Sequence, residues 1–257
     1  MCGIQEHAFN PQPRNPMPAS PTLKTFVLVH GAWHGGWCWA KVAHALRAFG
    51  HRVYTPTLTG LGERSHLLGR GITLDTFVRD IENVLLWEDL TDVILVGHSF
   101  AGLVITGVAD RAPQRLKQLI YLDAFILESG VSTFDTLAPE TVAKLRAAAR
   151  DSCNGLALPA PKPKAFGLIE PAHIDFIAER LTPHPLGTYE SALQLRHPTG
   201  NGMPCAYWHC TAPSYAPLEA SRQWAKAQTG WGWAELATGH DAMVSAPELL
   251  IRNLLDL

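Results

Sequence analysis

The sequence has little charge and no concentration of it. Asp, Glu, Lys and Arg make up 17% of the chain, 21 Lys and Arg stand against 23 Asp and Glu, and no basic run occurs. The electrostatic footprint of a nucleic-acid binder is therefore missing. Long hydrophobic runs are missing too: no stretch reaches the ~18 apolar residues of a membrane span, and no basic region precedes an apolar one at the N-terminus. Neither a membrane anchor nor a cleaved secretion signal is expected. Cysteine is scarce and unpaired in pattern, with Cys2, Cys38, Cys153, Cys205 and Cys210 scattered and no Cys-x-x-Cys. That spacing argues against a disulfide framework and a zinc site, and predicts a reducing, cytoplasmic setting. What is plentiful is apolar: 47% of the 257 residues are hydrophobic. This suffices for one large α/β domain with its own core and rules out a disordered chain.

Residues 1–22 carry Pro11, Pro13, Pro16, Pro18 and Pro21 with few large apolar groups, which predicts a flexible tail ahead of a domain at 23–257. Inside the domain short apolar blocks recur at Phe26-Val27-Leu28-Val29, Val53 to Thr57, Val93-Ile94-Leu95-Val96, Leu119-Ile120-Tyr121-Leu122 and Ala206-Tyr207-Trp208, the pattern of buried parallel strands. Between them Leu74, Phe77, Val78, Ile81, Val84 and Leu85 recur at three- and four-residue spacing, marking one buried helix face. Leu103 to Asp110 reads as a helix ending before Pro113. Ser245, Pro247 and Glu248 read as the N-cap, first-turn proline and capping-box acid of a last helix carrying Leu249, Leu250, Leu254 and Leu255. Such alternation means an α/β fold, a mostly parallel sheet with helices on both faces. It breaks between about 127 and 202, where Pro139 opens a helix among proline-rich turns, and this stretch is expected to be a helical cap insertion over the site.

The chemistry concentrates at Val93-Ile94-Leu95-Val96-Gly97-His98-Ser99-Phe100-Ala101-Gly102, a strand turning abruptly into a helix with a serine at the turn. This is a nucleophile elbow, in which the positions two before and two after the serine must be small; Gly97 and Ala101 meet that need. A serine capping a helix after a strand would look similar, so other segments must decide. His30-Gly31-Ala32-Trp33-His34-Gly35-Gly36 follows the first strand, where an acyl-transfer enzyme needs a glycine-rich loop offering a backbone N–H to an oxyanion. Ala32 is the expected donor, with the N–H of Phe100 as the second. The loop lacks both the Gly-Lys-Ser ending and the Gly-x-Gly-x-x-Gly spacing of a phosphate cradle. Near the C-terminus Thr238-Gly239-His240-Asp241 falls between an apolar segment and the last helix, placing His240 at a strand's carboxyl end as general base for Ser99.

These segments together resemble the α/β-hydrolase superfamily, and within it the small esterase and hydroxynitrile-lyase group that includes plant methyl-ester esterases and bacterial pyrethroid-type carboxylesterases. The resemblance covers about residues 24 to 257. It rests on Phe26 through Trp37, Thr57-Leu58-Thr59-Gly60-Leu61-Gly62-Glu63-Arg64, Gly97-His98-Ser99, Leu181 to Tyr189 with its Pro183-His184-Pro185-Leu186 turn, and Gly239-His240-Asp241. It implies an α/β-hydrolase fold with a helical cap, a Ser/His/acid triad, no cofactor and no metal, and cleavage of carboxylic esters with apolar or aromatic groups through an acyl-enzyme. In one respect the chain departs from it. The family's acid usually follows the penultimate strand, and Pro213 stands there. Asp123, closing the strand Ile120-Tyr121-Leu122, is the expected replacement, with Glu219 as its rival. Trp33, Phe125, Phe134, Phe166 and Met243 are the candidate substrate-binding residues, with core packing as the alternative for each.

Two other functions compete. A hydroxynitrile lyase would, by the resemblance, carry threonine in place of Gly31 and lysine after His240. A catalytically weak ligand-binding protein on the same scaffold would account for Pro213. Met1-Cys2-Gly3-Ile4 looks like the start of an N-terminal-cysteine amidotransferase, but the proline-rich continuation makes it a coincidence. The expected partner is a small apolar or aromatic ester, with no nucleic acid and no membrane; a homodimer is left open.

Overall fold

The structure, a computed structural model, describes residues 23–257. The expected tail over 1–22 and the Met1-Cys2-Gly3-Ile4 motif lie outside the described residues. The chain runs through β1 (Thr25–Val29), α1 (Ala40–Ala48), β2 (Arg52–Tyr54), α2 (Leu74–Trp87), β3 (Val93–His98), α3 (Ala101–Arg111) and β4 (Leu116–Leu122). There follow α4 (Pro139–Cys153), β5 (Ala157–Leu158), α5 (Pro171–Ala178), β6 (His184–Pro185) and α6 (Leu186–Glu190). The last elements are β7 (Cys205–Cys210), α7 (Glu219–Lys226), β8 (Gly232–Leu236), α8 (Ala242–Ser245) and α9 (Pro247–Leu255). Six strands form one sheet in the order β2-β1-β3-β4-β7-β8, every neighbouring pair parallel. The two-residue strands β5 and β6 pair antiparallel with each other, apart from it.

Alternation along the strands divides the core. Phe26, Leu28, Ile94, Val96, Ile120 and Leu122 face one side with residues of α1 and α9. Val27, Val29, Leu95, Leu119 and Tyr121 face the other with α2 and α3. Strands buried on both sides lose the polar-apolar alternation and read as continuous apolar runs. The expected face of α2 is present, with Leu74, Phe77, Val78, Ile81 and Leu85 buried and a Thr73–Thr76 capping box ahead of them. The last helix is capped differently from the sequence expectation. Its N-cap is Ala246, without a side-chain cap, because the Ser245 hydroxyl instead meets Thr238 Oγ1 at 2.7 Å and donates to the Asp241 carbonyl at 3.1 Å. Ser245 thus ties down the loop carrying His240. No helix among the described residues is long and apolar enough to cross a membrane.

Candidate active site

Three parallel strands deliver three side chains to one edge of the sheet. Ser99 follows β3, Asp123 follows the adjacent β4, and His240 lies in the loop after β8. Ser99 has φ 55° and Asp123 φ 40°, left-handed conformations that cost a non-glycine residue about 1–3 kcal/mol and persist only where the surroundings enforce them. At Ser99 the enforcement is visible. Its N–H donates to the Leu122 carbonyl at 3.2 Å, and its carbonyl accepts from the Phe125 N–H at 2.9 Å. A Cβ on Gly97 would fall 2.7 Å from the Ala101 carbonyl oxygen, and one on Gly31 would fall 2.8 Å from Ser99 Cβ. Glycine at 97 lets α3 close against β3, and glycine at 31 lets the loop after β1 cross beside the serine.

His240 Nε2 lies 2.9 Å from Ser99 Oγ and its Nδ1 lies 2.7 Å from Asp123 Oδ2. A carboxylate at Nδ1 selects the tautomer protonated there and leaves Nε2 free to accept the serine proton. Asp123 is fully buried. Its Oδ1 accepts from the Cys210 N–H at 3.4 Å and faces Arg222 Nη1 at 3.8 Å. Glu219 is engaged elsewhere: it is exposed and bonds Arg222 and Gln223. The Ala32 and Phe100 backbone N–H groups have no acceptor among the described residues. Phe100 precedes α3, whose dipole favours negative charge there.

A second buried histidine–carboxylate pair supports this constellation, and the sequence reading passed over it. His34 Nδ1–H donates to the Ala32 carbonyl at 2.8 Å and Nε2–H to Asp241 Oδ2 at 3.2 Å. Both ring nitrogens face acceptors, so the ring is an imidazolium. Burial opposes that charge, but the Asp241 carboxylate outweighs burial and raises the His34 pKa. Burial likewise disfavours the charged Asp241, and His34 outweighs it to lower the Asp241 value. His98 is neutral, pushed well below the ordinary histidine value by burial and then by the His240 imidazole. Its Nε2–H donates to the His240 carbonyl at 2.9 Å. Among the described residues His98, His240 and Asp241 have ligand-type atoms within 4.8 Å of one another, but the bonds just given already engage His98 Nε2 and both nitrogens of His240. The signal in the sequence was the aspartate directly after the candidate base.

The candidate binding residues are distributed unequally. Trp33 lies 6.1 Å from Phe166 and 6.3 Å from Tyr189, ring centre to ring centre. Tyr189 stacks on Phe100 at 5.1 Å and meets Phe134 at 5.8 Å, and Phe166 lies 6.4 Å from His240. Trp33, Phe134 and Phe166 thus belong to one aromatic set reaching the His240 ring. Phe125 is placed by its backbone, beside Ser99. Met243 is fully buried in α8 and lines a separate cavity of about 220 Å³ with Trp37, Cys38 and Phe176. The sequence reading missed Tyr189 and Tyr215; the latter stacks on His240 at 4.1 Å.

A model of the alpha/beta hydrolase family matches residues 26–253. A carbendazim hydrolyzing esterase from Nocardioides sp. (strain SG-4G) is 41% identical over 240 residues, covering 90% of this chain and 98% of that protein. An alpha-hydroxynitrile lyase of Arabidopsis thaliana is 38% identical over 102 residues, 39% of this chain and 40% of its own length. Among solved structures, an extracellular α/β-hydrolase from a Paenibacillus species superposes with a TM-score of 0.78 at 25% identity, covering 91% of this chain and 98% of that one.

Proposed function

The chain belongs to the alpha/beta hydrolase family and is an ester-cleaving hydrolase, and we propose that Ser99 is its nucleophile, His240 its general base and Asp123 the acid that orients His240. The observation that carries this reading is the hydrogen-bonded line from Asp123 Oδ2 through His240 to Ser99 Oγ, at 2.7 and 2.9 Å. Ser99 Oγ attacks the ester carbonyl carbon while its proton passes to His240 Nε2, and the carbonyl electrons move onto oxygen. The N–H groups of Ala32 and Phe100 receive that oxyanion. The imidazolium gives its proton to the departing alkoxide, leaving an acyl group on Ser99. Water then repeats the sequence, releasing the acid and returning the proton to Ser99. A fluorophosphonate should form a single adduct, located by mass spectrometry on Ser99; labelling of any other serine would overturn the assignment.

The substrate is an ester with an apolar or aromatic group, held by the set that includes Trp33, Phe134 and Phe166, with the segment from about 127 to 202 acting as its cap. Support comes from the position of that segment between β4 and β7 and from the contact of Phe166 with His240. Phe134→Leu and Phe166→Leu keep most of the side-chain volume and remove the ring. Each is expected to change the preference for aryl over alkyl acyl groups by about threefold to tenfold, the size of an aromatic contact, with Tm changed little. Unaltered relative rates in both variants would remove the functional content of the cap.

Hydrolysis is favoured over carbon–carbon cleavage by two local facts. A Cβ at position 31 would crowd Ser99, so the lyase-type threonine lacks space, and the residue after His240 is the buried partner of His34. The unpaired Cys38, Cys153, Cys205 and Cys210 support work in a reducing cytoplasm.

A further inference from the structure

We propose that Tyr215 is a positioning residue whose ring, stacked on His240, stabilises the imidazolium formed during acyl transfer. The inference rests on the reading of Ser99 and His240 given above. The two ring centres lie 4.1 Å apart with planes inclined by 19°. The other aromatic neighbours of His240 are His98 at 4.6 Å and 43°, and Phe166 at 6.4 Å and 18°. Tyr215 therefore makes the closest parallel contact with the proposed base.

Its position is built. The Tyr215 carbonyl accepts from Arg222 Nη1 at 3.0 Å and from the Leu218 N–H at 3.1 Å. Arg222 is nearly buried and also faces Asp123, so one guanidinium fixes the backbone under Tyr215 and neighbours the acid. Just upstream, Thr211 and Ser214 pair across a turn that has Ala212 and Pro213 at its tip. The loop that carries Pro213 thus brings an aromatic ring to the base. The ring face is the part of Tyr215 that meets His240.

The physical basis is the ring quadrupole. Its negative face attracts a cation, while a neutral imidazole gains mainly dispersion from the same contact. The extra attraction arises only once the Ser99 proton has reached His240 Nε2. It is therefore stronger in the transition state than in the ground state and lowers the barrier. Because the imidazolium forms in both acylation and deacylation, kcat responds whichever step is slower.

Turnover of an aromatic model ester should be compared in Tyr215→Phe, Tyr215→Leu and a set in which phenylalanines carrying one, two and three fluorines occupy position 215. Fluorination drains the ring face at nearly constant shape. Tyr215→Phe is expected to stay within about twofold of wild type, and Tyr215→Leu to lose about threefold to thirtyfold in kcat with KM little changed, the range of a desolvated cation–π contact. Within the fluorinated set log kcat should fall with each fluorine while Tm holds, a response that packing alone does not give. A flat series overturns the proposal, and so does a Tyr215→Phe loss as deep as that of Tyr215→Leu. If Tyr215→Leu fails to fold, the fluorinated set decides alone. The fluorophosphonate adduct on the wild-type chain separates the two levels: with the adduct on Ser99 and a flat series only the stacking role falls, whereas labelling elsewhere removes the reading of the site beneath it.

Discussion

Asp123→Asn is expected to fold normally and to lose at least about a hundredfold in kcat, approaching the order of 10⁴ that follows when a triad carboxylate becomes an amide. The argument lies in what the amide offers to His240. Asp123 Oδ2 accepts from Nδ1 at 2.7 Å. An asparagine can present its NH2 there, which selects the tautomer protonated at Nε2, and that nitrogen then cannot take the Ser99 proton. Folding should survive because the other contacts of the carboxylate are weak: the Cys210 N–H is at 3.4 Å, and Arg222 keeps its bonds to Glu219 and Tyr215. Glu219→Gln is expected to turn over near normally, since Glu219 is exposed and bonded to Arg222 and Gln223. The measurement is kcat on one model ester, with Tm and circular dichroism confirming the fold. A deeper loss in Glu219→Gln would reassign the acid. Small effects in both would leave His240 held by its backbone, through His98.

Much of this site was legible because its demands are local. Ser99 must stand between a strand and a helix with small neighbours, so Gly97 and Ala101 announce it within a few residues. Asp123 could be placed because β4 comes next after the elbow strand and pairs with it, which puts the two strand ends side by side. Ser245 was misread because its sequence context satisfied a capping pattern, whereas a tertiary contact with Thr238 claims the hydroxyl. The His34–Asp241 pair joins residues 207 positions apart, and Tyr215 meets His240 from a different loop. The aspartate next to His240 marks one end of the first contact, but no periodicity or spacing points to its partner His34 or to Tyr215. Met243 shows the same limit from the other side: adjacency in sequence to the base suggested a place in the aromatic set beside His240, whereas the side chain is buried in α8 and lines the separate cavity with Trp37, Cys38 and Phe176.

Asp241→Asn is expected to destabilise the fold by about 3–5 kcal/mol, the cost of removing one partner from a buried ion pair. His34 is 1% exposed and Asp241 fully buried, so the remaining imidazolium would be left without water or a counter-charge. It would then have to lose its proton, and with it one of its two donated bonds, to Ala32 or to position 241. His34→Gln combined with Asp241→Asn should recover part of the loss, because two amides of similar size can pair without charge. The pH dependence follows from the two shifts. Asp241 is lowered from 3.8, so its contribution is present above that ordinary value and is lost as pH falls through the depressed one. His34 is raised from 6.5, so its contribution is complete below that value and is lost as pH rises through the raised one. The wild type should therefore exceed Asp241→Asn most between about pH 4 and 6.5, with the gap narrowing on either side. Urea midpoints at pH 5 and pH 8.5, compared at constant m, would measure it. Equal midpoints for wild type and Asp241→Asn at pH 5 would show that the pair contributes nothing to the fold, and a gap that stays constant from pH 5 to pH 8.5 would show that His34 is neutral.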